Sequence, residues 1–283
     1  MQRHLAQLNI ATLRHPLDDP RTADFVEALP AVNGAGEQSP GFVWRLQSDA
    51  GDATDIRVFD DPLMIVNLTL WESLDDLKAF AFKGLHRDYF RRRAEWFVEG
   101  STRTALWWLP SPQLPTTDDA KRRLEFIEAF GPSPYAFRMG QNHPTLVMHR
   151  VAPDDPRVQS LRLQLSDQDD LDVGDQRSVV VGEIDDVAET FGTYRHVDEA
   201  TAYIDSIHVS RTARGMRLGA AIVSELEAAA AADGLRHLCL HTVPAQVAPY
   251  EKFGFRQRPC NHDTAGSSRS ICMEKTLAPS QAV

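Results

Sequence analysis

The feature that most constrains this chain is a short, glycine-containing connection between a predicted strand and a predicted helix. Residues 203–209 have the apolar pattern of a strand, and residues 215–232 form an alanine-rich helical run. In such a connection, successive backbone N–H groups point at one spot, and the helix N-terminus adds about half a positive charge. Gly215 and Gly219 have no Cβ, which permits a close approach. The pattern predicts a pyrophosphate site.

This connection resembles the coenzyme A signature of the GCN5-related N-acetyltransferase (GNAT) family, written R/Q-x-x-G-x-G/A. Arg214 and Gly219 match its ends, whereas Arg217 stands where the middle glycine is usual. Residues 248–255, Ala-Pro-Tyr-Glu-Lys-Phe-Gly-Phe, resemble the A-x-Y-E-K-x-G-F segment of the same family. That segment predicts a short helix that ends at a glycine and returns an aromatic residue to the sheet. The resemblance implies an acetyl-CoA site formed by Ile207, Val209, Arg214, Gly215, Met216, Arg217, Leu218, Gly219 and Ala220.

The resemblance also implies direct attack of an amine on the thioester carbonyl. The backbone N–H of Val209 would stabilise the developing charge on the carbonyl oxygen. Tyr250 stands where the family often has the general acid for the departing thiolate, and packing against the coenzyme or the core is the alternative. Asp205 is a candidate for the base that deprotonates the substrate, as are His208, expected on the opposite strand face, and His241. A water chain could replace any of the three candidates.

The charge of the chain restricts the acceptor. A formal net charge of −10 opposes binding to nucleic acid. Acidic residues outnumber basic ones between residues 153 and 190: Asp154, Asp155, Asp167, Asp169, Asp170, Asp172, Asp175, Glu183, Asp185, Asp186 and Glu189. An acidic wall would concentrate a cationic amine, and a solvated acidic face is the alternative. We therefore expect a small-molecule or peptide amine as acceptor.

The first half of the chain predicts a separate domain. Glycine and proline breakers at residues 131–134 and 140–144 predict domains at 1–141 and 142–283. The order of the predicted elements is strand, helix, strand, strand, helix, strand, which indicates a ferredoxin-like α+β sandwich. The predicted strands are residues 5–11, 42–46, 63–71 and 104–109, and the predicted helices are 24–29, 74–82 and 85–97.

Residues 85–97, 105–110, 115–116 and 131–137 resemble the uncharacterised DUF3291 family, and the resemblance covers nearly all of the first half. That family is placed with dimeric α/β-barrel proteins. The resemblance therefore implies an N-terminal ferredoxin-like dimeric α/β-barrel domain and a homodimer. The fold class expected for the whole chain is α+β, in which this domain precedes a GNAT mixed α/β domain with a splayed central sheet.

Two rival functions follow from the first half. Some distant members of the barrel superfamily carry haem or perform oxygenation, and His86, near Trp96, Trp107 and Trp108, is the candidate haem ligand. The simpler alternative places His86 on an exposed helix face and the tryptophans in the core. In the second rival, the GNAT-like half senses coenzyme A without turnover and the first half only dimerises.

The composition indicates an ordinary globular protein, with 42% apolar and 25% charged residues. No run of about 18 apolar residues and no signal-peptide pattern is present, so we expect a cytoplasmic protein without a membrane partner. Cys239, Cys260 and Cys272 are odd in number and lack C-x-x-C spacing. We therefore expect free thiols and no metal site.

Overall fold

The computed structural model describes residues 2–163, 177–259 and 270–278. The chain divides into two compact units, Met1–His143 and Pro144–Val283. Within the described ranges, no helix combines the length and apolar character that a membrane span requires. In the same ranges, His, Cys, Asp and Glu side chains form no group placed to hold a metal ion.

The first unit is built on a four-stranded antiparallel sheet. In chain order its elements are β1 (Arg3–Thr12), α1 (Ala23–Glu37), β2 (Phe42–Arg45), β3 (Met64–Trp71), α2 (Leu74–Phe82), α3 (Gly84–Arg92), β4 (Arg103–Pro110) and α4 (Thr117–Phe130). The strand order across the sheet is β2-β3-β1-β4. Up to β4 the elements follow the predicted order of strands and helices.

Three helices of the first unit differ from the prediction, and one of them is α3, which ends at Arg92 and continues only as a 3-10 turn to Glu95, short of the predicted residue 97. α1 continues through Pro30 to Glu37, whereas the sequence predicted that it would end at residue 29. Its C-terminal turn is held by tertiary packing, because Gly36 is buried against the ring of Phe80. α4 was not predicted, although Thr116 and Asp119 form a capping box at its start.

Both faces of this sheet are buried within the chain. On one face, Leu5, Trp71 and Leu106 form a core cluster with Leu77 of α2. On the other face, residues that alternate with these are fully buried: Ala6, Leu8, Ile10, Leu68 and Leu70 are each 0% exposed. A barrel made by stacking two such sheets needs one open sheet face. The dimeric-barrel arrangement is therefore not confirmed, and the homodimer remains a prediction.

The second unit contains a seven-stranded sheet with the strand order β10-β11-β9-β8-β7-β6-β5. Its elements are β5 (Leu146–Val151), α5 (Pro156–Arg162), β6 (Arg177–Ile184), β7 (Val187–His196), β8 (Thr201–Val209), α6 (Leu218–Ala232), β9 (His237–Thr242), α7 (Val247–Glu251), β10 (Arg256–Arg258) and β11 (Ile271–Thr276). Adjacent strands are antiparallel except β8 and β9, which are parallel. The unit is a mixed α/β structure, as expected.

The helix α6 lies close to the sheet because β7 has a glycine at the contact. A Cβ added at Gly192 would lie 2.3 Å from Cγ2 of Ile222 and 2.9 Å from Cδ1 of Leu226. Both of these α6 side chains are buried in the core cluster of the second unit. Gly192 thus fixes the distance between α6 and the sheet, and with it the position of the loop that precedes the helix.

The cysteines correct one expectation. Cys239 is a buried free thiol, and burial raises its pKa to about 11. Cys272 is disulfide-bonded, so the prediction that all the thiols are free is wrong. Cys260 lies outside the described residues.

Candidate functional site

The central sheet of the second unit opens between β8 and β9. These strands pair only where Thr201–Tyr203 run beside His237–Cys239. The later part of β8 keeps β7 as its partner, and Ser210 N donates to Glu189 O at 2.8 Å on that side. Successive N–H groups of a strand point to opposite sides, so the N–H of Val209 points into the opening, as does that of Ile207. The structure thus shows the predicted splay and places the Val209 N–H at its edge.

The loop after β8 is anchored to β7 by one carboxylate. Glu189 accepts hydrogen bonds from Ser210 Oγ and, at 2.8 Å, from Thr212 Oγ1. Ser210 Oγ in turn accepts from the backbone N–H of Ala213 at 3.3 Å. These bonds fix the first half of the loop before it reaches the helix. The sequence analysis counted Glu189 only as one of many acidic residues and did not predict this role.

The second half of the loop has a left-handed backbone at two positions, Gly215 with φ 85° and Arg217 with φ 61°. Arg217 therefore keeps the conformation that favours the glycine of the family signature. Because of these two residues, α6 begins at Leu218 and not at the predicted residue 215. The carbonyl of Arg217 accepts the first helical hydrogen bond, from Ala221 N at 3.1 Å.

The N-terminus of α6 offers donors to an anion. Arg217 is the N-cap residue and its side chain makes no capping hydrogen bond. The first N–H groups of the helix, those of Leu218, Gly219 and Ala220, have no carbonyl acceptor within the helix. The side chains of Arg214 and Arg217 are exposed beside them. The predicted coenzyme-binding residues thus lie on one continuous segment from β8 into α6.

Tyr250 lies on α7 with its side chain half-buried. Its ring packs edge-on against Phe255, with centroids 6.0 Å apart, and its hydroxyl makes no hydrogen bond to the described residues. Burial raises the pKa of Tyr250, so the phenol keeps its proton at neutral pH, as a general acid must. Gly254 has φ 87° and Phe255 is buried, as the sequence predicted for this turn.

A β-bulge changes the expected faces of β8. Thr193 pairs with Ser206 and Tyr194 pairs with Ile204, so Asp205 is an extra residue without a partner on β7. As a result, Ile204 and Ile207 both pack on the same core cluster. The bulge also puts Asp205 on the same face as His208. The side chain of Asp205 contacts Arg195, and His208 is paired with Phe191. Arg195 and Phe191 lie on the same face of β7, because they are an even number of residues apart. The predicted opposition of Asp205 and His208 is wrong for this reason.

Asp205 is held by two arginines. Its Oδ2 accepts from Arg177 Nε at 2.8 Å, and its Oδ1 accepts from Arg195 Nε at 3.1 Å. The side chain is 13% exposed. Since both carboxylate oxygens bind guanidinium groups, the geometry favours an anchoring role for Asp205 over the predicted role of base.

A tyrosine–histidine pair lies where the pairing of β8 with β9 ends. The hydroxyl of Tyr203 is 2.6 Å from Nδ1 of His241. Burial is the main cause of a raised pKa at Tyr203, so the hydroxyl keeps its proton at neutral pH. His241 was one of the three predicted candidates for the base. Tyr203 was not predicted, because an aromatic residue within a strand more often indicates packing.

The described part of the acidic stretch forms local bonds. Asp155 pairs with Arg157 at 2.8 Å, and Glu183 pairs with His149 at 2.8 Å and with Arg157 at 3.2 Å. Outside the described residues lie Asp167, Asp169, Asp170, Asp172 and Asp175. The acidic wall remains a prediction.

The haem hypothesis gains no support from the surroundings of His86. The Nδ1 atom of His86 is 3.0 Å from Ala81 O, to which it donates, and burial lowers the pKa of the ring. His86 and Trp96 line a cavity of about 190 Å³, whereas pockets for drug-sized ligands measure about 300–1,000 Å³. Trp107 is on the sheet face opposite to the cavity.

Comparison with known proteins confirms both resemblances. Residues 147–255 match the family model described as the Acetyltransferase (GNAT) family, as the resemblance of the second unit predicted. The chain belongs to the family described as Domain of unknown function (DUF3291), whose model matches residues 4–151. No curated protein matches the chain.

Several solved acetyltransferases have a similar structure. A GNAT family acetyltransferase from Elizabethkingia anophelis with acetyl-CoA bound is 15% identical, covering 47% of this chain and 98% of its own, with a TM-score of 0.39. An IAA acetyltransferase from Bacillus cereus is 17% identical, with coverages of 47% and 100% and a TM-score of 0.39. The ribosomal-protein-S18-alanine N-acetyltransferase from Escherichia coli is 15% identical, with coverages of 48% and 97% and a TM-score of 0.40. These values are too low to assign a substrate.

Proposed function

We propose that the second unit transfers an acetyl group from acetyl-CoA to a primary amine by direct attack. The observation that carries the proposal is the continuous segment from β8 to α6. It combines an N–H that points into the splay, at Val209, with a left-handed loop at Gly215 and Arg217 and a helix N-terminus. A coenzyme needs hydrogen bonds along its pantetheine arm and a phosphate site at the end of that arm. This segment offers the first on β8 and the second at the loop and the start of α6.

Each part of the segment has a role in this proposal. The N–H groups of Leu218, Gly219 and Ala220 bind the pyrophosphate, and the exposed Arg214 and Arg217 add positive charge. Backbone groups of Ile207 and Val209 bind the arm within the splay, where β9 no longer pairs. As the amine attacks, the Val209 N–H stabilises the negative charge on the thioester oxygen.

Two proton transfers complete the reaction. When the C–S bond breaks, Tyr250 gives its proton to the thiolate, which becomes a neutral thiol. The amine loses a proton to water in the splay, which carries it to bulk solvent. The Tyr203–His241 pair, whose atoms are 2.6 Å apart, lies about 20 Å from Val209 along β8 at a rise of about 3.3 Å per residue, too far to take this proton.

The acceptor that fits best is a small-molecule or peptide amine that carries positive charge in solution. The net charge of −10 supports this choice, since a negative protein attracts cations and repels nucleic acid. The homodimer through the first unit is a separate proposal that rests only on the DUF3291 resemblance. It can be checked by the mass of the protein in solution.

The test measures acetyl-CoA binding by calorimetry and release of the free thiol with polyamines, aminoglycosides, amino acids and peptides. We expect Tyr250→Phe to bind acetyl-CoA as the wild type does and to lower kcat by about 10²- to 10⁴-fold, the usual effect of a lost general acid. Tyr194→Phe is the matched control. It also removes a tyrosine hydroxyl from the second unit, but that hydroxyl has a structural role, donating to Asp233 at 2.5 Å. It should leave kcat unchanged.

Each contrary result has a distinct meaning. Unchanged turnover in Tyr250→Phe would remove Tyr250 from the mechanism and assign it to packing. Tight binding of acetyl-CoA without thiol release for any amine would contradict the enzyme and favour the coenzyme A sensor. No binding at all would refute the site.

A further inference from the structure

The first unit contains a partly open cavity that the acetyl transfer does not use. It measures about 190 Å³ and lies between the helices α1 and α3 and one face of the sheet. Asn9 of β1 and Asn67 of β3 form its floor, as a directly paired set on neighbouring strands. Phe25 and Trp96 line one side, with ring centroids 5.8 Å apart.

The volume of the cavity limits what it can hold. An engineered apolar cavity of about 150 Å³ stays dry and binds benzene, whereas pockets for drug-sized ligands start near 300 Å³. At about 190 Å³, this cavity has room for one six-membered ring with a small substituent. A nucleotide, a haem or a peptide side chain with its backbone would not fit.

Most of the wall is aromatic or aliphatic. α1 contributes Ala28 and Val32 besides Phe25, and α3 contributes Phe90. Phe80 of α2 completes the wall and stacks on Trp71 of β3 at 5.2 Å. Aromatic side chains at this spacing favour the edge and face contacts that a further aromatic ring makes.

The floor has one buried polar atom without a partner. The Oδ1 atom of Asn9 is buried and accepts no hydrogen bond from the part of the chain that the structure describes. The neighbouring Thr69 is satisfied, because its Oγ1 donates to Gln7 Oε1 at 3.1 Å and accepts from Trp71 Nε1 at 2.9 Å. Buried polar atoms in folded proteins nearly always have a partner, so an acceptor left open beside a cavity indicates a donor on the occupant.

The charged groups around the cavity are already paired. Arg45 donates to Glu37 at 2.7 Å and to the carbonyl of Gly51 at 2.8 Å. Arg93 donates to the carbonyl of Phe90 at 3.0 Å. The carboxylate of Asp52 accepts the N–H and the hydroxyl of Thr54. Because these charges are bound locally, the cavity is suited to an uncharged occupant.

We propose that the first unit binds one small, neutral aromatic molecule with a hydroxyl group. Its ring lies between the aromatic side chains of α1 and α3, and its hydroxyl donates a hydrogen bond to Oδ1 of Asn9. Phenol has the required size, charge and donor. The proposal is independent of acetyl transfer, since it involves no residue of the second unit.

Phenol and toluene are the probes, because they differ only in that a methyl group replaces the hydroxyl. Calorimetric titration of the full chain should show binding of both, with phenol tighter by about fivefold, the value of one net hydrogen bond. In Asn9→Leu the preference for phenol should disappear while toluene keeps its affinity. The measured quantity is the ratio of the phenol and toluene affinities for one variant. An effect of the substitution on folding changes both affinities equally and so leaves this ratio unchanged.

A second pair of variants tests the location. Ala28→Leu fills the cavity and should weaken both probes at least tenfold, whereas Ala31→Leu, at an exposed position of the same helix, should leave both unchanged. Failure of both probes to bind the wild type would overturn the proposal. A phenol preference that survives in Asn9→Leu, or unchanged affinity in Ala28→Leu, would do so too. If the phenol preference survives in Asn9→Leu, the ligand hydroxyl does not bind Asn9, and water satisfies its Oδ1 atom instead.

Discussion

Replacing Gly219 by alanine should leave the second unit folded and remove most of its affinity for coenzyme A. A Cβ at this position would lie 3.9 Å from Cγ2 of Val209, an ordinary van der Waals distance, and Gly219 has no positive φ that alanine would strain. At a compatible helical position, glycine to alanine stabilises by about 0.4–1 kcal/mol through the unfolded chain. The thermal midpoint of the unit should therefore stay constant or rise by a few degrees.

The loss of affinity has a different origin. The added methyl group would stand beside the N–H groups of Gly219 and Ala220, where a phosphate oxygen has to approach to about 2.9 Å. Loss of one hydrogen bond to a charged group costs about 1.5–3 kcal/mol. That corresponds to about a 10- to 150-fold weaker Kd for acetyl-CoA, which calorimetry resolves.

Gly192→Ala is the matched control. There the Cβ would lie 2.3 Å from Cγ2 of Ile222, so overpacking should cost about 1–3 kcal/mol and lower the midpoint. Its affinity for acetyl-CoA should be normal below the unfolding transition. The tryptophans Trp44, Trp71, Trp96, Trp107 and Trp108 all belong to the first unit, so their fluorescence shows whether that unit is unaffected. Wild-type affinity in Gly219→Ala would refute the phosphate cradle, and an equal loss of stability in both variants would refute the packing argument.

Two further predictions concern stability. Burial alone would raise the pKa of Asp233, but hydrogen bonds from Arg150 and Tyr194 lower it, so its stabilisation is present above the unfolded pKa of about 3.9 and lost as the pH falls. Asp233→Asn should cost about 1 kcal/mol at neutral pH and flatten the acid side of the pH–stability curve measured by calorimetry; an unchanged curve would contradict this. In the first unit, Arg123→Lys should lower the unfolding free energy by about 1–3 kcal/mol, because Arg123 donates to Tyr135 O and stacks 3.6 Å from its ring. Tryptophan fluorescence in urea measures this, and Arg103→Lys, at a partly exposed guanidinium that pairs with Glu128, should change it by less than about 0.5 kcal/mol; equal effects would contradict the role of the stacked guanidinium.

Elements with local signals were predictable from the sequence. α2 occupies the predicted residues because Ser73 caps it, accepting from Asp76 N at 3.1 Å, and such a cap involves neighbours in the chain. The turn at Gly254 was predictable for the same reason. The boundaries of α1 were not, because its last turns depend on contact with Phe80, which is far away in sequence.

The candidate site also has features with a local sequence signal and features without one. The loop between β8 and α6 was predictable because its glycines and the helix start lie within one short segment, whereas its binding of coenzyme A stays a prediction. Glu189 and the Arg177–Asp205–Arg195 contacts were not found, because they join residues on different strands. The alternation within β8 could not reveal the bulge at Asp205 either, since a bulge is defined by the register with β7. The cavity at Asn9 depends on two helices and a sheet and leaves no local pattern.

Arg217 shows how the departure from the family signature is tolerated. The left-handed conformation costs a residue with a side chain about 1–2 kcal/mol, and it persists only where the surroundings impose it. Here the loop is fixed on both sides, by Glu189 at Ser210 and Thr212 and by the first helical hydrogen bond from Ala221 N to Arg217 O. The loop therefore holds its shape before any coenzyme binds. A preformed cradle loses little conformational entropy on binding, so Glu189 should matter to affinity although it lies on another strand and is itself an anion.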